Sequence, residues 1–422
     1  MDLSIILGLS ILVRALFITW MPAQAISYDL MHWGDAARYF SVEANPYSEP
    51  RLQWNWPPFW IPMLHVLYHL TDGLVPFFTA VRIFLIAIES TVAICLYFIV
   101  RRFFPQTIAR QLLVIGVSLN PICVLLICQH GNFDVLASLF GILALAMLLS
   151  FRRGHDTLRW LWACAFLGLA ILTKTVPWVL VPLLAIGARG LNARALALGT
   201  LLLVGPTLYG LGVLYAVAPH EVVSQVLGYR SLPGWFGITG LMGLAGRSQW
   251  FSSYTAAFTI LYCFTLVGVT FLCWRAREVS ASREVLLSAT LVSIPVFLGP
   301  GYAPQYLYWF LPFYLLVYAA FERGWRLLLG CAGAVATATY LIEYAFIPSH
   351  GQFLVHLFPT ERMRQLSEQL SSTSGATLLR LPLFATALIV LSVALLTLQR
   401  RKTLSPARRR SRSEGSFPTT VR

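Results

Sequence analysis

Charged residues are scarce in this chain. Only 11% of its 422 residues are Asp, Glu, Lys or Arg, whereas 58% are hydrophobic. Soluble proteins carry about 25% charged residues, so this chain has too few to cover a water-exposed surface of its size. Apolar runs of roughly 18 or more residues recur from end to end, and each is long enough to cross the hydrocarbon of a bilayer. The sequence therefore predicts an all-α, polytopic transmembrane helix bundle.

Several common motifs are also missing. The apolar runs do not alternate with polar residues, which excludes a membrane β-barrel. The chain has no Walker loop, no GxGxxG after a strand and no H-E-x-x-H, so nucleotide-binding and zinc-protease sites are not indicated. No internal repeat is visible, which argues against the common transporter plans. The sequence predicts no cofactor and leaves a divalent metal open.

Cysteine and histidine give no metal or disulfide pattern. The seven cysteines all fall in apolar runs and form no C-x-x-C pair, so we interpret them as small core hydrophobes. His65 and His69 stand four residues apart, a spacing that suits a metal, but no third ligand accompanies them. Packing at the membrane interface is the favoured interpretation of this pair.

Acidic residues are outnumbered, 17 against 31 Lys and Arg, for a net charge of +14. The basic residues cluster between apolar runs, and residues 400–422 alone hold eight Lys or Arg against one Glu. Such clusters are typical of cytoplasmic loops under the positive-inside rule, and we favour this over nucleic-acid binding. The alternation predicts about 12 spans (11 to 13) in the cell membrane, with both termini cytoplasmic.

Three regions follow from this pattern. Residues 1–347 are predicted to form a transmembrane catalytic module, with an outer first loop at 22–76 that carries interfacial helices. Residues 348–399 are predicted to contain an outer segment and the last transmembrane helix. Residues 400–422 are predicted to be a disordered, basic, cytoplasmic tail.

The stretch 28–58 is the least lipid-like part of the first hundred residues. It contains two Asp, two Glu, two Arg and one His among many Trp and Tyr. One carboxylate beside a membrane cavity suits a general base that takes a proton from a sugar hydroxyl. We predict Asp29 as this base and Asp35 as the second candidate. Alternatively, Asp29 caps a helix that holds Leu30 to Phe40.

Lys174 divides an apolar run of about 29 residues, 160–188, that has Arg at both flanks. A single span of this length cannot have both ends in the cytoplasm. The sequence therefore predicts two short helices that meet at Lys174 in a wet cavity, because a lysine facing lipid is costly. An ammonium in this position calls for an anion, and we predict a phosphate that Arg230 shares.

Other polar residues fall on the same predicted outer face. His130 and Asp134 bracket a helix start and are predicted to bind substrate. The alternative is that Asn132 caps the helix and that the Asp134 carboxylate, in the first turn, only interacts favourably with the helix dipole. Glu89 and Glu343 lie inside apolar runs, where pairing with a neighbouring helix is favoured over catalysis. A shared outer cavity is the simplest account of Asp29, Asp35, His130, Lys174, Arg230 and Gln305.

Three short motifs occur in a fixed order: Asp29 precedes an N-P-Y and then a W-P-P, and Lys174 begins a K-x-x-P. In this order the motifs resemble those of the GT-C superfamily of integral-membrane glycosyltransferases, and of its mannosyltransferase-like members in particular. The spacer before the N-P-Y has Glu43-Ala44 where the family commonly has Gly. The further matching segments are 120–121, 129–134, 229–231, 235–237 and 304–306.

The resemblance implies a fold and an activity. A hexose, mannose in the first instance, is moved with inversion from a polyprenyl-phosphate donor to a glycan or glycolipid acceptor at the outer face. Asp29 is then the general base, Lys174 and Arg230 bind the donor phosphate, and His130, Asp134, Gln305 and Tyr306 bind substrate. Membrane lipid is a partner and nucleic acid is not. The alternative is a polytopic transporter or a lipid or glycan flippase.

Overall fold

A computed structural model of the chain describes most of its helices. Every element in the described part is helical, as the sequence predicts. The described residues are 3–20, 27–41, 47, 56–70, 75–104, 116–117, 119–151, 156–227, 237–276, 280–301, 305–320, 323–347, 352–372, 375 and 378–379.

The first half of the chain contains long apolar helices and several short ones. They are α1 (Leu3–Trp20), α2 (Tyr28–Ser41), α3 (Trp60–Leu70), α4 (Phe77–Phe103), α5 (Pro121–Leu125) with a π-helical continuation (Leu126–His130), α6 (Asp134–Leu149), α7 (Thr157–Thr173), a 3₁₀ turn (Val176–Leu180), α8 (Val181–Ala188) and α9 (Ala193–Val217).

The second half contains four longer helices, with short ones before and after them. They are α10 (Pro219–Glu221) with a π-helical continuation (Val222–Leu227), α11 (Gly237–Leu244), a 3₁₀ turn (Ser248–Trp250), α12 (Phe251–Arg275), α13 (Ala281–Leu298), α14 (Tyr306–Ala320), α15 (Arg323–Phe346), α16 (Phe353–Leu357) and α17 (Glu361–Ser371).

The described helices make this a multi-pass membrane protein. Six of them are long and apolar enough to cross a bilayer, and shorter apolar helices lie between them. The twelfth predicted span, at 380–399, and the tail at 400–422 lie outside the described residues. The total of 12 spans and the three-region division therefore stay predictions. The six are Leu3–Trp20, Phe77–Phe103, Ala193–Val217, Ser248–Arg275, Ala281–Leu298 and Trp325–Phe346.

The apolar run around Lys174 is broken where the sequence predicts it. Helix α7 ends at Thr173, and Lys174 has extended backbone angles (φ −153°, ψ 144°). Pro177 lies in the first turn of the 3₁₀ segment, where its missing N–H costs nothing. The break leaves Lys174 at the end of a helix instead of on its flank, so the side chain reaches the interior of the protein.

Helix α6 forms the centre of the bundle and packs against α4, α7 and α14. Helix α9 lies on the other side of α7 and approaches it very closely. A Cβ atom added at Gly168 would lie 2.3 Å from the Leu202 carbonyl oxygen. Small residues at such crossings let membrane helices associate by backbone contact.

A buried ion pair joins α1 to α4. The Arg14 guanidinium contacts the Glu89 carboxylate, and both side chains are almost fully buried. Arg14 also donates to the Ser10 hydroxyl at 2.5 Å and to the Ser10 carbonyl oxygen at 3.1 Å. The structure therefore contains the predicted pairing of Glu89 with a neighbouring helix. Removing one partner of such a pair typically costs about 3–5 kcal/mol.

Candidate functional site

Ser27 lies directly before α2, and Asp29 therefore lies inside the first turn of this helix. The Ser27 hydroxyl accepts the Leu30 N–H at 3.3 Å, and the Ser27 carbonyl accepts the Met31 N–H at 3.3 Å. Ser27 is therefore the residue that caps this helix, a role that Ser commonly has. The alternative that Asp29 serves as the cap is wrong, because its side chain points to another element.

The Asp29 carboxylate contacts His130 at the end of the π-helical segment. His130 Nε2 lies 2.7 Å from Asp29 Oδ2, and His130 Nδ1 lies 2.6 Å from the Tyr344 hydroxyl of α15. The Ser27 hydroxyl also donates to the His130 carbonyl oxygen at 2.7 Å. Three elements far apart in sequence are thus joined at this imidazole.

The turn at 130–134 has the local geometry that this contact needs. Gly131 has φ +68°, a left-handed conformation that glycine adopts without steric cost. A Cβ atom there would lie 2.6 Å from Leu30 Cδ1. Asn132 Oδ1 then accepts the Asp134 N–H at 2.8 Å, so Asn132 stabilises the start of α6 as the sequence analysis allowed.

Asp134 does more than begin a helix. Its carboxylate oxygen Oδ1 lies 2.9 Å from Lys174 Nζ, and its side chain is fully buried. Asp134 also interacts electrostatically with Asp29 and His130, so all four groups lie in one neighbourhood. The Asp29 and Lys174 side chains retain 19% and 13% exposure. The base candidate and the cation are therefore the two members that a substrate can reach.

Aromatic rings surround the Lys174 ammonium. Its Nζ lies 5.2 Å from the Phe133 ring centre, 5.5 Å from that of Trp309 and 5.9 Å from that of Trp56. Each such contact is worth about 0.5–2 kcal/mol, depending on desolvation. These three rings enclose the Lys174 side chain in a largely apolar setting at the break between two helices.

An aromatic cluster supports this cage from the side of the first loop. Phe133 stacks on Trp60, with ring centres 4.8 Å apart, and meets Trp33 edge-on at 5.0 Å. The Tyr47 hydroxyl donates to the Trp56 carbonyl oxygen at 2.7 Å. The Tyr of the N-P-Y motif and the Trp of the W-P-P motif are therefore joined by a hydrogen bond, and the Trp56 ring lies edge-on to Phe133 of the turn at 130–134, with ring centres 6.3 Å apart.

The remaining predicted residues lie in different places. Asp35 is exposed on α2, on another face from Asp29. Gln305 is partly buried just before α14, and its carbonyl oxygen accepts the Tyr308 N–H at 3.0 Å. Tyr306 is buried and stacks on Trp309 at 4.2 Å, so it borders the Lys174 cage. Arg230 lies outside the described residues.

Sequence reasoning assigned no role to Tyr344, nor to Trp309. Tyr344 sits in an apolar helix, one turn after Tyr340, and their rings stack at 4.5 Å. Two tyrosines four residues apart next to Glu343 are a polar stripe on one face of a membrane helix, which was the available signal. The partner of that stripe is 214 residues away in sequence and cannot be predicted from spacing.

No metal centre is indicated within the described ranges. They contain no group of three His, Cys, Asp or Glu side chains placed to bind an ion. The rings of His65 and His69 meet edge-on at 4.4 Å, and Phe40 packs on His65 at 5.1 Å. The packing interpretation of this pair agrees with these contacts. All seven cysteines are free thiols.

Two comparisons find known proteins that are similar to this chain. Residues 62–222 match the family model described as dolichyl-phosphate-mannose-protein mannosyltransferase. This segment contains His130, Asp134 and Lys174 but not Asp29. The structure is similar to the crystal structure of ArnT from Cupriavidus metallidurans bound to undecaprenyl phosphate, with a TM-score of 0.52 and 15% sequence identity.

The ArnT similarity covers 93% of this chain and 77% of that chain. At this identity it establishes the fold, which is of the GT-C type. The fold that the resemblance of the sequence motifs implies is thereby confirmed. A comparison with curated proteins by sequence finds no match.

Proposed function

We propose that this GT-C-fold membrane protein is a glycosyltransferase that uses a polyprenyl-phosphate-linked sugar. One observation carries the proposal: the single turn 130–134 engages the Asp29 carboxylate through His130 and the Lys174 ammonium through Asp134. A base and a cation on either side of one turn suit a reaction that removes a proton at one end and releases a phosphate at the other. The family match and the ArnT fold support the same reaction.

The proposed reaction is an inverting displacement. Asp29 takes the proton of an acceptor hydroxyl while that oxygen forms a bond to the anomeric carbon. The bond from that carbon to the phosphate oxygen breaks on the opposite face, and its electron pair stays on the phosphate. Lys174, together with Arg230, stabilises the charge that develops there, and one such donor is typically worth about 3–4 kcal/mol.

The finer assignments are also proposals. The sugar is a hexose, mannose in the first instance, and the acceptor is a glycan or a glycolipid at the outer face of the membrane. Gln305 and Tyr306 are proposed to bind substrate, because Tyr306 stacks on the ring that covers Lys174. Asp29 is preferred to Asp35 as the base because it contacts His130 in the site, whereas Asp35 is exposed on another face of α2.

The test is sugar transfer by the purified protein in lipid nanodiscs. The donor is radiolabelled polyprenyl-phosphate mannose, compared with the glucose-linked lipid, and the acceptors are a panel of glycolipids and oligosaccharides. We expect transfer by the wild type and a loss of about 10²–10⁴-fold in Asp29→Asn, the usual contribution of a general base. Asp35→Asn, the matched change at the other candidate, is expected to retain most of the transfer.

Two outcomes would contradict the proposal. Full transfer by Asp29→Asn removes the base assignment, and a product that keeps the anomeric configuration of the donor removes the inverting mechanism. Movement of the labelled lipid across proteoliposomes without any new glycosidic bond would instead support the flippase alternative.

A further inference from the structure

We infer that His130 is a positioning residue that orients the Asp29 carboxylate, and that Tyr344 in turn sets the tautomer of His130. The contacts behind this inference are observed between described residues. Their role in catalysis rests on the proposed function. It differs from the sequence-based prediction, in which His130 binds a substrate hydroxyl.

Both ring nitrogens of His130 are already engaged inside the protein. Nε2 lies 2.7 Å from Asp29 Oδ2 and Nδ1 lies 2.6 Å from the Tyr344 hydroxyl, and the His130 side chain is only 5% exposed. An imidazole has one donor or acceptor site on each nitrogen. A sugar hydroxyl that bound to this ring would therefore have to break one of these two bonds.

For a neutral His130, the chemistry of the three groups selects one arrangement of protons. An ionised carboxylate only accepts hydrogen bonds, so a neutral His130 must carry its proton on Nε2 and donate it to Asp29. Nδ1 is then an acceptor, and the Tyr344 hydroxyl donates to it. The opposite tautomer would place the Nε2 lone pair against the carboxylate, which is repulsive.

The backbone around His130 holds the ring in this place. The Ser27 hydroxyl donates to the His130 carbonyl oxygen, and Gly131 turns the chain directly after it. On the far side, Tyr344 is fully buried and stacks on Tyr340. Helix α2, the turn and helix α15 are thus linked by one chain of hydrogen bonds that ends on the proposed base.

Loss of a group that orients a base lowers the rate of the chemical step more than it weakens the binding of substrate. A misplacement of about 1 Å can cost roughly 10²-fold in rate. We therefore expect His130→Ala to lower kcat by about that factor with little change in the KM of donor or acceptor. His130→Gln keeps an N–H donor for Asp29 and is expected to recover part of kcat, and Tyr344→Phe is expected to cause a smaller loss of kcat.

The experiment combines these kinetics with hydrogen–deuterium exchange of the full-length protein in nanodiscs. Loss of one hydrogen bond is worth about 0.5–1.5 kcal/mol, so the amides of α2 are expected to exchange roughly two- to tenfold faster in His130→Ala. Tyr344→Phe is expected to shift them in the same direction. His220→Ala, at an exposed position of α10, is the matched control and is expected to change neither readout.

The outcomes separate this inference from the proposed function. A wild type that transfers no sugar contradicts the proposed function, while the exchange of α2 still decides whether the hydrogen-bond chain exists. Unchanged exchange in both variants overturns the inference. A raised KM with unchanged kcat in His130→Ala also overturns it, because His130 would then bind substrate as the sequence analysis predicted.

Discussion

At the residue scale, Lys174 combines an observed ion pair with a proposed role in binding the donor phosphate. Its ammonium pairs with the fully buried Asp134 carboxylate and lies within a cage of three aromatic rings. A buried carboxylate needs a partner, since an unpaired charge in the interior is very costly. If Lys174 also binds the donor phosphate, as proposed, its loss is expected to affect folding and catalysis together, and a single substitution cannot separate the two.

A double substitution at this pair separates them. We expect Lys174→Met to lower the free energy of unfolding by about 3–5 kcal/mol because it leaves the Asp134 charge buried alone. Lys174→Met combined with Asp134→Asn removes both charges and should recover most of the stability. The Tm of the detergent-solubilised single and double variants measures this loss and recovery of stability.

Sugar transfer should remain lost in the double variant, because the cation for the donor phosphate is still absent. Recovery of transfer together with stability would show that Lys174 acts only through Asp134. Such a result would remove Lys174 from the proposed phosphate site and leave it a structural residue.

At the scale of elements, the turn between the π-helical segment and α6 decides the geometry of the site. It places His130 toward α2 and Asp134 toward Lys174 within five residues. This requires a left-handed residue directly after His130, and Gly131 supplies it. The close approach of Leu30 leaves no space for a side chain at this position.

Gly131→Ala tests this requirement. The left-handed conformation and the contact with Leu30 together are expected to cost about 1–3 kcal/mol of stability, measured as a lower Tm. We also expect a lower rate of transfer, because a shift of the turn moves His130 away from Asp29. Gly190→Ala is the matched control, since a Cβ atom there meets nothing within 4 Å. Equal Tm values for the two variants would contradict the expectation.

At the scale of the whole molecule, the proposal requires one side of the membrane for the entire site. The described structure brings α2, the turn at 130–134 and the break at Lys174 together, and helix α4 runs from this region to Arg101 and Arg102. Basic residues at a span end are expected in the cytoplasm. The site is then predicted to face outward.

Cysteine labelling in intact cells checks this topology. In a background without the seven native cysteines, Met31→Cys and Thr175→Cys, both at exposed positions near the site, should react with a membrane-impermeant maleimide from outside. Arg102→Cys, at the other end of α4, should react only after permeabilisation. Reaction of positions 31 and 175 from opposite sides would mean that the proposed site does not exist.

The local features of this protein were predictable from its sequence. Hydropathy marks the membrane helices because each span must satisfy its own backbone hydrogen bonds in lipid. The break at Lys174 was also predictable, since a lysine and a proline within an apolar run cannot continue a lipid-facing helix. The start of α6 at Asn132 and Asp134 followed from capping chemistry, which acts within a few residues.

The partners of the site residues were decided by tertiary structure. Spacing alone left the cap role of Asp29 and the function of His130 open, and it predicted a phosphate for Lys174 without indicating its pairing with Asp134. The contacts that settle their geometry join residues 101 and 214 positions apart in sequence. Such contacts depend on which helices pack together, and this is determined by the close fit of many side chains at once. The sequence by itself therefore determined a helical membrane protein and the set of polar residues that could form a site, and only the packed bundle decided which of them meet.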